Sequence, residues 1–221
     1  MAITTVVFDV NETLSDLTPL SERFTGLGAP EWVAPYWFAS TLREGIALAA
    51  GGELRTFAEI GRETAAQLLR RHGSGADPDD GARQVLDGFL ALPVHPDVHA
   101  GVAALRAAGL RLVTLSNGAA GVAERLLGEH GLRDEFDAVL SVEDAGIWKP
   151  APAAYEHALH VCGIEPSEAV LVAVHPWDLH GAQRVGMATA WLDRHDEPWP
   201  GHLTAPTFTV RTLPELASRL D

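Results

Sequence analysis

Side chains capable of chemistry gather at four places in the 221-residue sequence, each just past or just before a structured stretch. The apolar run Ile3–Phe8 leads into Asp9-Val10-Asn11-Glu12-Thr13. The run that ends at Leu115 leads into Ser116-Asn117-Gly118, and Lys149-Pro150 opens a helical pattern that holds Tyr155. Ala169–Val174 leads into His175-Pro176-Trp177-Asp178, with His180 close behind. A carboxylate, an ammonium, hydroxyls and an imidazole that converge on one rim could support nucleophilic or acid–base catalysis. Asn11 stands two residues after Asp9, where a second aspartate could donate a proton; an amide cannot.

Each residue also has a plainer reading. A strand-end aspartate is often a helix cap or a turn residue. A single lysine is ordinarily a surface residue, Trp177 could pack its loop, Tyr155 could be core, and Glu12 reads as a solvated turn residue. His175, Asp178 and His180 invite a metal reading, but spacing alone is a weak signal and the intervening Pro176 and Trp177 are not ligands.

The elements that would position these residues alternate. Apolar runs at 3–8, 110–115, 137–141, 169–174 and 188–192 read as buried strands, with helical patterns at 98–108, 121–129, 151–161 and 178–185 between them. Strands apolar on both faces predict an α/β fold, a Rossmann-like parallel sheet core with helices on both faces. Ligands in such sheets collect beyond the carboxyl ends of the strands, where the four clusters fall. The alternation breaks over residues 17–92, which look helical and predict an inserted cap domain; residues 1–16 and 93–221 then form the core domain. Trp32, Tyr36, Trp37 and Phe38 in that insertion fit core packing or a cleft lining. After 192 a Pro/Gly-rich loop precedes a last short strand and a closing helix capped by Thr212.

Composition narrows the partners. Hydrophobic residues make up 47% of the chain, enough for a sizeable core, and 16 Lys+Arg against 30 Asp+Glu leave a formal charge of -14. That balance argues against nucleic acid and against an anionic membrane surface. A small anionic substrate would need a local pocket of cations or N–H groups, because the overall field repels it. Cys162 is the only cysteine, so no intrachain disulfide forms, which fits a reducing cytoplasm. No signal peptide and no run of membrane-spanning length is evident, so a cytoplasmic location is expected.

The four clusters together resemble the haloacid dehalogenase superfamily over nearly the whole chain. "FDVNETL" looks like its first motif, "LSNG" its second, Lys149 its third-motif lysine and Asp178 its fourth-motif acid. "LSNG", the Lys-Pro, Tyr155 and "WDLHGA" are most similar to the type II, L-2-haloacid dehalogenases. The resemblance implies a short halogenated carboxylic acid as substrate, halide as product and no cofactor or metal. It implies Asp9 as nucleophile, supported by Thr13 and held ionised by Lys149. Ser116 and the N–H groups of Val10 and Asn11 would bind the substrate carboxylate, Asn117 and Trp177 would cradle the halide, and Asp178 would orient Lys149 or water. Asn11 fits this chemistry, since a departing halide needs no proton.

Three departures from the family pattern stand out. Alignment puts Phe38 at or near the place of an arginine that binds the halide; Arg43 lies over a helical turn further on. Ala173 and His175 replace a serine and an asparagine, and His175 could take over activation of the hydrolytic water. Glu12 replaces a glycine. The rival readings are a Mg²⁺-dependent phosphatase on the same fold and a degenerate member that binds a small acid without turnover. The sequence leaves oligomeric state open; a homodimer is the assembly considered.

Overall fold

Residues 2–75 and 77–220 are described by a computed structural model. The chain divides into two units, Met1–Ser15 with Val94–Asp221, and Asp16–Pro93. In chain order the elements are β1 (Thr5–Phe8); α1 (Pro19–Gly26), α2 (Val33–Ala50), α3 (Phe57–His72) and α4 (Pro78–Phe89); then α5 (Val98–Ala107), β2 (Arg111–Ser116), α6 (Ala120–Glu129), β3 (Ala138–Ser141), a short α7 (Val142–Ala145), α8 (Pro152–Cys162), β4 (Ala169–Ala173), α9 (Pro176–Arg184), β5 (Ala188–Leu192), β6 (Phe208–Val210) and α10 (Leu213–Leu220).

Among the described residues the strands form one six-stranded sheet in the order β3-β2-β1-β4-β5-β6. Every pairing is parallel. Alternate residues point to opposite faces, and both faces are apolar. Val6, Phe8, Leu112, Val170, Val172 and Ala190 share one core with Val98, Val102 and Leu105 of α5, Leu127 of α6 and Leu213 and Leu216 of α10. Val7, Val113, Leu115, Leu171 and Ala173 alternate with these and are as deeply buried. α9 packs on β4 and β5. The sheet is therefore covered on both sides, as its near-continuous apolar strands require.

β1 is central. From β1 the chain builds outward to β2 and β3, then returns to lay β4 on the other side of β1. The loops leaving β1 and β4 thus diverge at the switch point of the sheet, where such folds form a crevice. Asp9 to Thr13 occupy one of these loops and Val174 and His175 the other.

The helical unit has its own aromatic core. Trp37, Phe57 and Phe89 are buried together, with Phe57 stacked on Phe89 at 4.9 Å between ring centroids. The Trp37 indole donates to the Gly61 carbonyl at 2.8 Å. Thr56 and Glu59 form a reciprocal capping box at the start of α3.

Boundaries differ from the sequence expectation in small, explicable ways. α9 starts at Pro176, before the expected 178, because a proline fits the first helical turn, where its missing N–H costs nothing. Trp177 and Asp178 therefore sit in that first turn. α7 is too short to show a periodicity; Gly146, at φ 70°, ends it in the left-handed region that glycine reaches freely.

Candidate active site

Asp9 follows β1, and its N–H extends the ladder to the Val172 carbonyl of β4 at 3.0 Å. Its carboxylate is held at both ends. Lys149 Nζ donates to Oδ1 at 2.9 Å, and Thr13 Oγ1 donates to Oδ2 at 2.7 Å. The Thr13 hydroxyl in turn accepts from the Val174 N–H at 3.2 Å, which fixes its proton on Asp9. The turn that makes this possible bonds Leu14 N–H back to the Val10 carbonyl at 2.8 Å.

Lys149 is fully buried. Its ammonium has three donors and three acceptors: Asp9 Oδ1, the Leu115 carbonyl at 2.8 Å and Asp178 Oδ2 at 2.6 Å. Asn117 clamps the Lys149 backbone, accepting from its N–H at 2.9 Å and donating to its carbonyl at 3.4 Å. Asp178, also buried, accepts at Oδ1 from the Tyr155 hydroxyl at 2.6 Å. The chain Asp9–Lys149–Asp178–Tyr155 is a satisfied polar network inside an apolar fold.

The network sets the charges. Burial alone would raise the Asp9 carboxyl, but Lys149, His175 and the hydroxyl of Thr13 outweigh it and hold Asp9 below the usual carboxylate range. Burial would lower Lys149, yet Asp178 and Asp9 on either side raise it, so the ammonium stays charged. Burial and the neighbouring Asp178 push the Tyr155 phenol well up, which leaves it a donor.

His175 occupies the N-cap position of α9. Its Nε2 faces the Asn11 carbonyl at 3.2 Å, Glu12 Oε2 at 3.6 Å and Asp9 Oδ2 at 3.8 Å. A carbonyl only accepts, so Nε2 carries a proton. At this nitrogen the ring donates to the Asn11 carbonyl. Trp177 stacks on the His175 ring at 5.3 Å and 22°.

A match to the family model of haloacid dehalogenase-like hydrolases spans residues 3–186. The chain belongs to that family. It is 33% identical over 138 residues to haloacetate dehalogenase H-2 of Moraxella sp. (strain B), a segment covering 62% of each chain. It is 27% identical over 217 residues to (S)-2-haloacid dehalogenase H-109 of Pseudomonas putida, covering 97% of this chain and 96% of the other. The match thus spans less than two thirds of the Moraxella relative and nearly all of the Pseudomonas one. The L-2-haloacid dehalogenase of Xanthobacter autotrophicus with chloropropionic acid covalently bound superposes with a TM-score of 0.86 at 26% identity, covering 98% of this chain and 97% of that one.

In this haloacid dehalogenase-like hydrolase the sheet unit brings together Asp9, Val10, Asn11, Thr13, Ser116, Asn117, Lys149, Tyr155, His175, Trp177 and Asp178 around the carboxyl ends of β1, β2 and β4. Ser116 Oγ accepts from the Gly118 N–H at 2.9 Å, which leaves its own proton to donate. Both ends of the Asn117 amide bond the Lys149 backbone, which ties the lysine to the loop after β2. Phe38 and Arg43 belong to the helical unit. Phe38 is buried beside Phe57, and Arg43 is exposed and paired with Glu44 at 3.0 Å. His180 accepts weakly from the Thr204 N–H at 3.4 Å. Among the described residues no three His, Cys, Asp or Glu side chains gather in a metal-holding group.

Three residues that the sequence did not single out hold the loop after β1. His95 Nε2 lies 2.9 Å from the Glu12 carbonyl, and Arg194 donates to the Thr13 carbonyl at 2.9 Å while paired with Asp97 at 2.8 Å. All lie far from the loop in sequence and belong to no local motif, so only the fold reveals them.

Proposed function

We propose that the protein is a hydrolytic dehalogenase of short 2-haloacids that works through an ester on Asp9. One observation carries the reading: an ionised Asp9 carboxylate is fixed between Lys149 and Thr13, and its neighbour Asn11 cannot donate a proton. A halide leaves without a proton, whereas a phosphate ester's alkoxide does not. The donor set also suits Mg²⁺ poorly. Asn11 offers no carboxylate, and the Asp178 oxygens are taken by Lys149 and Tyr155.

In the first step Asp9 displaces halide from C2 of the substrate and becomes an ester. Ser116 and the backbone N–H groups of Val10 and Asn11 receive the substrate carboxylate, and Trp177 lines the halide side. In the second step water adds to the Asp9 carbonyl carbon. Lys149 and Thr13 each hold one Asp9 oxygen, so whichever oxygen carried out the attack, the other keeps a donor for the negative charge of the tetrahedral intermediate. Collapse releases a 2-hydroxy acid and restores Asp9. Asp178, Tyr155 and Asn117 act through Lys149 by keeping its ammonium in place. In this reading the helical unit, with Phe38 and Arg43, is the family's cap, the protein works in the cytoplasm, and a homodimer is its expected assembly. Halide release from a panel of 2-haloacids, run beside a phosphate ester with Mg²⁺, tests the proposal. Turnover of the phosphate ester alone would overturn it.

A further inference from the structure

The loop after β1 contains a residue in an unfavourable conformation. Glu12 has φ 62°, one of two positive-φ residues other than glycine among the described residues. The left-handed region costs an L-residue about 1–3 kcal/mol, and glycine would avoid that cost. Instead the site carries a long acid. Its backbone carbonyl is gripped by His95, and its side chain turns inward, only 38% exposed, with Oε2 3.6 Å from His175 Nε2. That nitrogen also faces Asp9 Oδ2 at 3.8 Å, so Glu12 and the nucleophile flank one N–H group. Among the acids around Asp9, Asp178 is engaged at both oxygens by Lys149 and Tyr155.

We propose that Glu12 is the general base of the hydrolytic half-reaction, its carboxylate turned toward the His175 ring and the Asp9 ester by the loop conformation that His95 holds. This rests on the dehalogenase reading and adds a residue to it. Water bound between the Glu12 carboxylate and the ester gives one proton to Glu12 as its oxygen bonds to the Asp9 carbonyl carbon. When the bond from that carbon to the alkyl oxygen breaks, the proton passes from Glu12 to the departing alkoxide, which leaves as the 2-hydroxy acid. Asp9, now carrying one water oxygen as a carboxylic acid, ionises and releases its proton to solvent. Two features of the site favour these transfers. Burial, acting against the pull of His175, raises the Glu12 carboxyl above its ordinary value and makes it a stronger base. Asp9 is held low and gives up its proton readily.

The test separates the two half-reactions in Glu12→Gln, which keeps the shape of the side chain, and Glu12→Gly, which also relieves the backbone. Rapid-quench halide release and intact-protein mass are measured with one 2-haloacid on the unmutated protein and both variants. The expected result is a first-turnover halide burst in all three, with steady-state turnover lowered about 10²–10⁴-fold in both variants and the ester mass accumulating in them. Glu12→Gly should unfold no more easily than the unmutated protein. Normal steady-state turnover in Glu12→Gln, or loss of the burst itself, would remove the base assignment while leaving the dehalogenase reading intact. Absence of any halide release from the unmutated protein would overturn both.

Discussion

The proposed nucleophile, Asp9, has its charge held by buried neighbours, Lys149 and Thr13. Asp9→Asn keeps the shape and removes the nucleophile, so turnover should vanish while the unfolding transition persists. A single turnover in ¹⁸O-water should label Asp9 and leave the first product unlabelled; label in that first product would mean direct attack by water. Lys149 is the structural counterpart. Removing it in Lys149→Met would leave two buried carboxyls facing each other, a loss of roughly 3–5 kcal/mol. The sign of its pH dependence follows from the charges. In the unmutated protein the raised Lys149 contributes stability that is present below its unfolded value and lost only as pH rises through the folded one. The lowered Asp9 contributes stability that is present above its unfolded value and lost as pH falls through the folded one. Neither titrates near neutrality. In the variant the pull of Lys149 is gone, so burial raises Asp9 and raises Asp178 further than it already does in the unmutated protein, and their contribution is lost as pH rises above the ordinary carboxylate range. The gap between the urea midpoints of the two proteins should widen with that rise; a constant gap would show that Lys149 does not hold these acids ionised. Most of this network was legible in the sequence, because Asp9, Thr13, Lys149, Tyr155 and Asp178 fall at recognisable motif places. The inward turn of Glu12 was not, since a charged residue in a tight turn normally faces water.

The first turn of α9 is where element geometry governs the chemistry. It carries Trp177 and Asp178, and its distance from the start of α8 decides whether Tyr155 reaches Asp178. Gly181 keeps that distance short: a Cβ there would lie 2.5 Å from the Tyr155 hydroxyl and 2.8 Å from Pro150 Cβ. Gly181→Ala should push α9 away, destabilise the fold by roughly 1–3 kcal/mol and lower the halide-release rate through a misplaced Asp178. A variant that is less stable yet fully active would show that the Tyr155–Asp178 bond has no bearing on catalysis. The existence of these elements was readable because buried parallel strands are near-continuous apolar runs. Their edges were less so, because capping and first-turn prolines shift helix starts by a residue or two. α1 lay inside a stretch read only as helical, with the long α2 giving the stronger pattern.

At the scale of the molecule the formal charge of -14 works against the proposed substrate, a monoanion. The one buried ammonium in the site offers little relief, since its three donors are already taken by Asp9, Leu115 and Asp178. Nearby acids, Glu12 among them, add to the repulsion. Composition made the conflict legible, but only the structure shows that Lys149 is spent on the network; in the proposed reading neutral donors, the Ser116 hydroxyl and backbone N–H groups, carry recognition. Their pull is short-ranged, so the approach of substrate is governed by the field of the whole protein. Salt shortens that field to about 10 Å at 0.1 M ionic strength. Raising a non-halide salt from about 0.01 to 0.2 M should therefore increase kcat/KM for a 2-haloacid by roughly two- to five-fold. The maximal rate should change little, because the chemistry occurs inside the buried network. A kcat/KM that fell with salt would instead reveal a cation steering the substrate, and recognition by neutral donors would have to be abandoned.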